Sequence, residues 1–271
     1  MVDTVFLLKL FLVPTLILIA SLAGNRWGPA VSGWLVSLPF TSAPVVFFLA
    51  IEQGDAFAAG ASVGVILGLG SITLFAFAYC WLALRRRGVA WPFPMLLGSA
   101  AFFLLTFAFV DVSVPSVAAF AGTATFLAFA YRFLPRASAS GTESPPIAWW
   151  EIAFRMAAAT ALVLLITQAS TALGPQLSGL LTPFPIYVCV MASSTYRLQG
   201  AEQAARLVRG ATLGLFTPAV FFLIVSTTIE RLGVGPSFGL AIAATPLVHA
   251  LAYRLLKSDG SDGRAHDIKG E

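Results

Sequence analysis

The sequence predicts an all-α polytopic membrane protein with nine transmembrane helices, arranged as two inverted four-helix repeats joined by a linker helix. Three observations predict this fold: an apolar composition, a duplicated stretch and a charge bias. Of the 271 residues, 58% are hydrophobic and 10% charged, and the mean hydropathy is +0.89. In a soluble domain, about a quarter of the residues are charged. The composition therefore indicates an integral membrane protein.

The duplicated stretch covers residues 28–71 and recurs at 174–217, a constant spacing of 146 residues. The ungapped alignment contains 14 identities over 44 pairs, and many of them are Gly or Pro. These residue types set the backbone conformation, so shared apolar composition does not readily explain their recurrence. The pattern indicates an internal duplication.

The apolar runs are continuous and about 20 residues long, which favours spanning helices over the alternating strands of a barrel. The first run could pass for a signal peptide, but its counterpart before the second copy could not. We therefore interpret it as a helix of the mature protein. In order, the predicted spans are 5–23, 28–51, 57–84, 89–110, 114–134, 147–170, 174–196, 207–229 and 234–256.

These spans divide the chain into four parts. Residues 1–112 form the first repeat, 113–146 the linker helix with a polar cytoplasmic loop, 147–257 the second repeat, and 258–271 a disordered tail. Each half has an even number of helices, so the single linker helix makes the second half insert from the opposite face of the membrane. The duplication is therefore predicted to be inverted.

The charge bias gives the orientation. With the N-terminus outside, 14 of the 16 Lys and Arg residues lie on the cytoplasmic side, and the exceptions are Lys9 and Arg231. This is the positive-inside pattern, so we predict a bacterial inner-membrane protein with its C-terminus in the cytoplasm. The net charge of +4 is then a topology signal rather than a sign of nucleic-acid binding. The outer loops carry acidic residues instead: Glu52, Asp55, Asp111 and Glu230.

A short motif in each copy resembles the GlpM family of small four-helix bacterial inner-membrane proteins. In the second copy it comprises Ser178-Gly179-Leu180-Leu181, Pro183-Phe184-Pro185 and Tyr196-Arg197-Leu198-Gln199-Gly200; in the first, Ser32-Gly33-Trp34-Leu35, Leu38-Pro39 and Glu52-Gln53-Gly54. The resemblance covers both halves but not the linker helix, and it implies a duplicated, fused four-helix architecture. The family is associated with production of the exopolysaccharide alginate, and the resemblance implies no catalytic residues.

The repeated prolines, Pro39 and Pro185, fall within spans two and seven, where each removes a backbone hydrogen bond and should kink or break its helix. Paired interrupted helices near the midplane commonly form the substrate sites of inverted-repeat transporters. The alternative is that the small residues permit close helix packing and the kinks are tolerated. We favour packing for each residue alone and a site for the symmetric pair. The candidate substrate-binding residues here are Ser32, Gly33, Pro39, Thr41, Ser42, Ser178, Gly179 and Pro185.

Three ionisable residues complete the candidate substrate-binding set. Lys9 and Arg155 are repeat partners within the first helix of each half and would attract anions at two mouths. The favoured alternative is snorkelling to the nearest interface, and Glu151 could pair with Arg155 along one helix face. His249 would suit proton coupling or would simply be hydrogen-bonded inside the bundle.

These features predict a permease-like protein in which a small polar or anionic substrate passes between two inverted halves. The alternative is a non-transporting accessory protein that scaffolds envelope or exopolysaccharide production. An intramembrane enzyme ranks third, and we predict no catalysis because phosphate-loop, metal and nucleophile motifs are absent from the sequence. No cofactor or metal is expected, and Cys80 and Cys189 are interpreted as apolar fillers. The predicted partner is the lipid bilayer.

Overall fold

The computed structural model describes residues 4–27, 39–86, 88–134 and 149–248. Every regular element within these ranges is an α-helix, as the composition predicts. The helices are α1 (Thr4–Trp27), α2 (Ser42–Gln53), α3 (Asp55–Arg85), α4 (Pro92–Ala108), α5 (Ser116–Phe133), α6 (Trp149–Leu181), α7 (Ile186–Gln199), α8 (Ala201–Gly214), α9 (Phe216–Leu232) and α10 (Val234–Val248).

Helix lengths agree with a membrane protein. Four stretches are long and apolar enough to cross a bilayer, and four further helices are apolar but shorter. The helical membrane class is thus confirmed, whereas the count of nine spans and the inverted arrangement stay predictions. The long stretches are Asp55–Arg85, Ser116–Phe133, Ile152–Leu181 and Ala201–Leu232.

Helix α3 lies at the centre of the bundle, packed against α2, α4, α5, α6, α8 and α9. Its sequence suits this position because Gly64 and Gly68 let neighbouring backbones approach closely. Two of its buried hydroxyls are satisfied within the helix: Ser62 donates to the Ala58 carbonyl and Thr73 to the Leu69 carbonyl, at 2.8 and 2.9 Å. These two hydroxyls therefore lie in an apolar environment without being left unpaired.

The two copies share local breaks. Gly54 and Gly200 occupy matched positions between consecutive helices, with φ of 92° and 89°. Each N–H bonds back to the matched residue of the preceding helix, Ala50 or Tyr196, at 3.0 and 3.1 Å. Only glycine adopts this conformation readily, which explains why these glycines recur at the spacing of 146 residues.

The structure refines two of the predicted spans. Helix α6 runs from the sixth span into the seventh across a non-helical Gly174, with φ 71° and ψ 171°. The eighth span is interrupted between α8 and α9 at Leu215, whose φ of −67° and ψ of −16° keep the chain direction helical. Pro218 has no N–H to bond the Gly214 carbonyl, which accounts for the interruption. The predicted loop at 135–146 and the tail at 258–271 lie outside the described residues.

Candidate functional site

Each repeated proline lies in non-helical backbone before a helix rather than inside one. Helix α6 ends at Leu181 and α7 begins at Ile186, with Pro185 immediately before it. Pro39 precedes α2 in the same way, because its carbonyl accepts from Ala43 at 2.8 Å as the Pro185 carbonyl accepts from Cys189 at 2.8 Å. The break expected at Pro185 is therefore present, and both prolines start a new helix.

The Ser178–Gly179 segment packs directly on α3. A Cβ atom built on Gly179 would overlap the Ala61 carbonyl oxygen, and one on Gly68 would lie 2.6 Å from the Pro183 Cγ. Gln176 fixes the same segment to the end of α4 by donating to the carbonyls of Phe109 and Val112, at 2.6 and 2.7 Å. This geometry supports close packing in the second copy, the alternative that the sequence favours for each residue alone.

One feature of Ser178 is typical of a binding residue. Its side chain is 0% exposed, and its hydroxyl has no hydrogen-bond partner within the described part of the chain. An unsatisfied buried hydroxyl costs about 1–3 kcal/mol. The hydroxyl is thus oriented by packing rather than by a hydrogen bond.

Lys9 lies in a cluster that joins the two halves of the chain. It is 4% exposed, and its ammonium donates to Glu52 Oε1 at 2.5 Å and to Thr167 Oγ1 at 2.8 Å. The ring centroid of Phe48 lies 5.5 Å from the same nitrogen. Thr167 belongs to the second half, whereas the other three residues belong to the first. We call these four residues the Lys9 cluster.

Arg155, the repeat partner of Lys9, is 2% exposed on α6. Its guanidinium lies over the Tyr187 ring at 4.3 Å from the centroid, and its Nη1 donates to the Tyr187 hydroxyl at 3.2 Å. Protein therefore encloses both basic side chains, contrary to the expected snorkelling to an interface. The side chain of Glu151, the other expected partner of Arg155, lies outside the described part.

Helices α1 and α6 pack against each other, and each presents one buried face at four-residue spacing. On α1 this face carries Lys9, Val13 and Ile17; on α6 it carries Arg155, Ala159, Val163 and Thr167. We call the contact between these two faces the seam. Arg155 and Thr167 lie twelve residues apart, so with a rise of about 1.5 Å per residue they are roughly 18 Å apart along α6.

The remaining candidates divide into two groups. Ser42 is buried at the start of α2, and Thr41 immediately precedes it without a side-chain capping bond. Ser32, Gly33 and His249 lie outside the described residues. Of the candidates that are described, Lys9 and Arg155 lie on the buried faces of α1 and α6, while Ser178 and Gly179 lie at the packing contact with α3 and Pro185 follows it in the chain.

Glu52, Thr167 and Tyr187 were not among the predicted site residues. One signal was present in the sequence for Glu52: Lys9 is a rare basic residue on the predicted outer side, and Glu52 lies in a predicted outer loop. The ion pair reconciles Lys9 with the positive-inside pattern because it neutralises the charge locally. No group of three or more potential metal ligands occurs in the described ranges.

No protein-family model, no curated protein and no solved structure matches this chain. The resemblance of the repeated motif to the GlpM family therefore stays a prediction that rests on the motif itself. The functional argument depends on the chemistry of the seam and of the segments beside it.

Proposed function

We propose that this chain is a permease-like protein of the bacterial inner membrane, in which a small polar or anionic substrate passes between two inverted halves. The observation that carries the proposal is the burial of Lys9 and Arg155 at matched positions of one helix–helix seam. Ionisable side chains inside membrane helices are costly and commonly mark substrate or ion pathways. Two such residues of the same sign attract anions from the two ends of the seam.

With the Lys9–Thr167 hydrogen bond as the register, an antiparallel crossing of α1 and α6 would pair Val13 with Val163 and Ile17 with Ala159. These four apolar residues are buried in one hydrophobic cluster. A pseudo-two-fold axis would then exchange the two apolar pairs, because Val13 matches Ala159 and Ile17 matches Val163 at the repeat spacing of 146 residues.

The middle of the seam is apolar and tightly closed, since Val13 and Val163 are both 0% exposed. In the proposed cycle this layer closes the path, and rocking of one half against the other exposes each basic residue in turn. The interrupted backbone before α2 and α7 supplies points at which the halves can flex.

Thiol labelling tests the proposal. Single cysteines replace Val13, Ala159 or, as the control, the exposed Leu165 of α6, in a chain carrying Cys80→Ala and Cys189→Ala. We expect a membrane-impermeant maleimide to label positions 13 and 159 in both intact cells and inverted vesicles, and not position 165, which faces lipid. Absence of labelling at 13 and 159 from either side contradicts permeation.

The accessory scaffold is the second candidate, and the packing of Gly179 on α3 favours it. A rigid contact between backbones suits a protein that presents lipid-facing helices to a partner. In the labelling experiment, the scaffold requires that the seam stay closed to the reagent under every condition.

A further inference from the structure

The Lys9 cluster has the composition of a carboxylate-binding site. The Lys9 ammonium donates to a carboxylate oxygen of Glu52, and the Thr167 hydroxyl and the Phe48 ring both contact the same ammonium. The Thr167 hydroxyl donates its own proton to the Val163 carbonyl at 2.8 Å, so it accepts from Lys9 and fixes the ammonium in place. The carboxylate in the site is that of Glu52.

Burial of this ion pair is poorly explained by stability alone. Removing two charges from water costs several kcal/mol per ion, and well-packed apolar residues often serve as well or better. In the second copy, the position matching Glu52 is Leu198, which is 73% exposed. The repeat unit therefore folds without a carboxylate at this position.

Glu52 is also held against the electrostatics of its own helix. It is the penultimate residue of α2, which ends at Gln53, and the C-terminal end of a helix carries a partial negative charge that disfavours a carboxylate. Its side chain is 25% exposed, whereas that of Lys9 is 5% exposed. Glu52 thus pairs with a buried cation from a partly exposed position. The partial negative charge at the end of α2 favours release of its carboxylate from Lys9.

We propose that Lys9, held in place by Thr167, binds the carboxylate group of an anionic substrate, and that Glu52 occupies this site as an internal substitute until the substrate displaces it. This inference rests on the proposed permease function and names its substrate class. A monocarboxylate replaces Glu52 with no net change in buried charge. The exchange therefore avoids the cost of an uncompensated ammonium group in the apolar seam.

Benzoate is the test ligand, and chloride is the control anion of equal charge without a carboxylate. The purified full chain in detergent is titrated with each, and the thermal unfolding midpoint reports binding. We expect Glu52→Gln to lower the half-maximal benzoate concentration about tenfold, because the competing carboxylate is gone. Glu230→Gln, which removes an exposed carboxylate from the same predicted face, leaves it unchanged.

In the titration, Lys9→Met is combined with Glu52→Gln, so that the Glu52 carboxylate is not left without its cation. This double variant must elute as a single folded species and must lose the benzoate response. Equal benzoate responses in the wild type and Glu52→Gln, or a response that survives Lys9→Met, overturn the inference. If the maleimide experiment succeeds while the titration fails, permeation stands and the carboxylate site falls; the reverse result leaves a carboxylate site without permeation.

Discussion

The Lys9 cluster and the Ser178–Gly179 contact are built in opposite ways. At Gly179 the backbone of α6 rests on the backbone of α3 with no room for a Cβ atom. At Lys9 a buried ammonium meets a partly exposed carboxylate from another helix. Gly179 belongs to the repeated motif that is most prominent in the sequence; of the Lys9 cluster, Glu52 belongs to that motif too, whereas Lys9 and Thr167 lie outside the duplicated stretch. The comparison indicates that the Ser178–Gly179 part of the motif fixes helix packing, whereas the proposed function rests on the charged residues.

The largest effect is expected from filling the packing contact. Gly179→Leu places four carbon atoms where even a Cβ meets the Ala61 carbonyl oxygen, and overpacking that side chains can relax already costs about 1–3 kcal/mol. Because backbone cannot move aside so easily, we expect no folded protein after purification in detergent. Gly122→Leu is the matched control, since a Cβ there meets nothing within 4 Å. Recovery of folded Gly179→Leu at the level of the control contradicts the packing assignment.

Breaking the ion pair should have the next largest effect. Lys9→Met leaves Glu52 without its cation. Removing one partner of a fully buried pair costs about 3–5 kcal/mol, and we expect a loss below that range because the Glu52 side chain is 25% exposed. Thermal unfolding in detergent measures the loss. The double variant Lys9→Met/Glu52→Leu removes both charges and should regain most of the stability. If the double variant is no more stable than Lys9→Met alone, the ion pair is not the cause of the loss.

The contact of Arg155 with Tyr187 should respond more weakly. Tyr187→Phe removes the hydroxyl that accepts from Arg155 Nη1 but keeps the ring beneath the guanidinium, so we expect a loss of about 1 kcal/mol. Tyr187→Leu also removes the cation–π contact and should cost more. Equal thermal unfolding midpoints for the two variants would show that the ring contributes nothing.

Much of the helical architecture follows from local sequence. Apolar runs locate the helices, Pro185 ends one helix and starts the next, and Gly54 and Gly200 mark matched junctions. These features depend on residues close in the chain. The interruption at Leu215 could have been predicted from Pro218, which removes the hydrogen bond to the Gly214 carbonyl. The continuous apolar run across this position instead predicts a single span.

The site was less accessible to sequence reasoning because its contacts join distant segments. Lys9 meets Glu52 from 43 residues away and Thr167 from 158 residues away. Choosing such partners requires knowing which helices pack together, and periodicity within one helix does not supply that. The same limit concealed the central position of α3, whose apolar sequence resembles that of the lipid-facing helices.

The central claim is that the two copies cross the membrane in opposite directions. Gln53 and Gln199 are matched residues at the ends of α2 and α7, so single cysteines at these positions report the orientation of each copy. In the chain lacking Cys80 and Cys189, we predict that an impermeant maleimide labels position 53 in intact cells and position 199 only in inverted vesicles. Labelling of both positions from the same side would contradict the inverted arrangement.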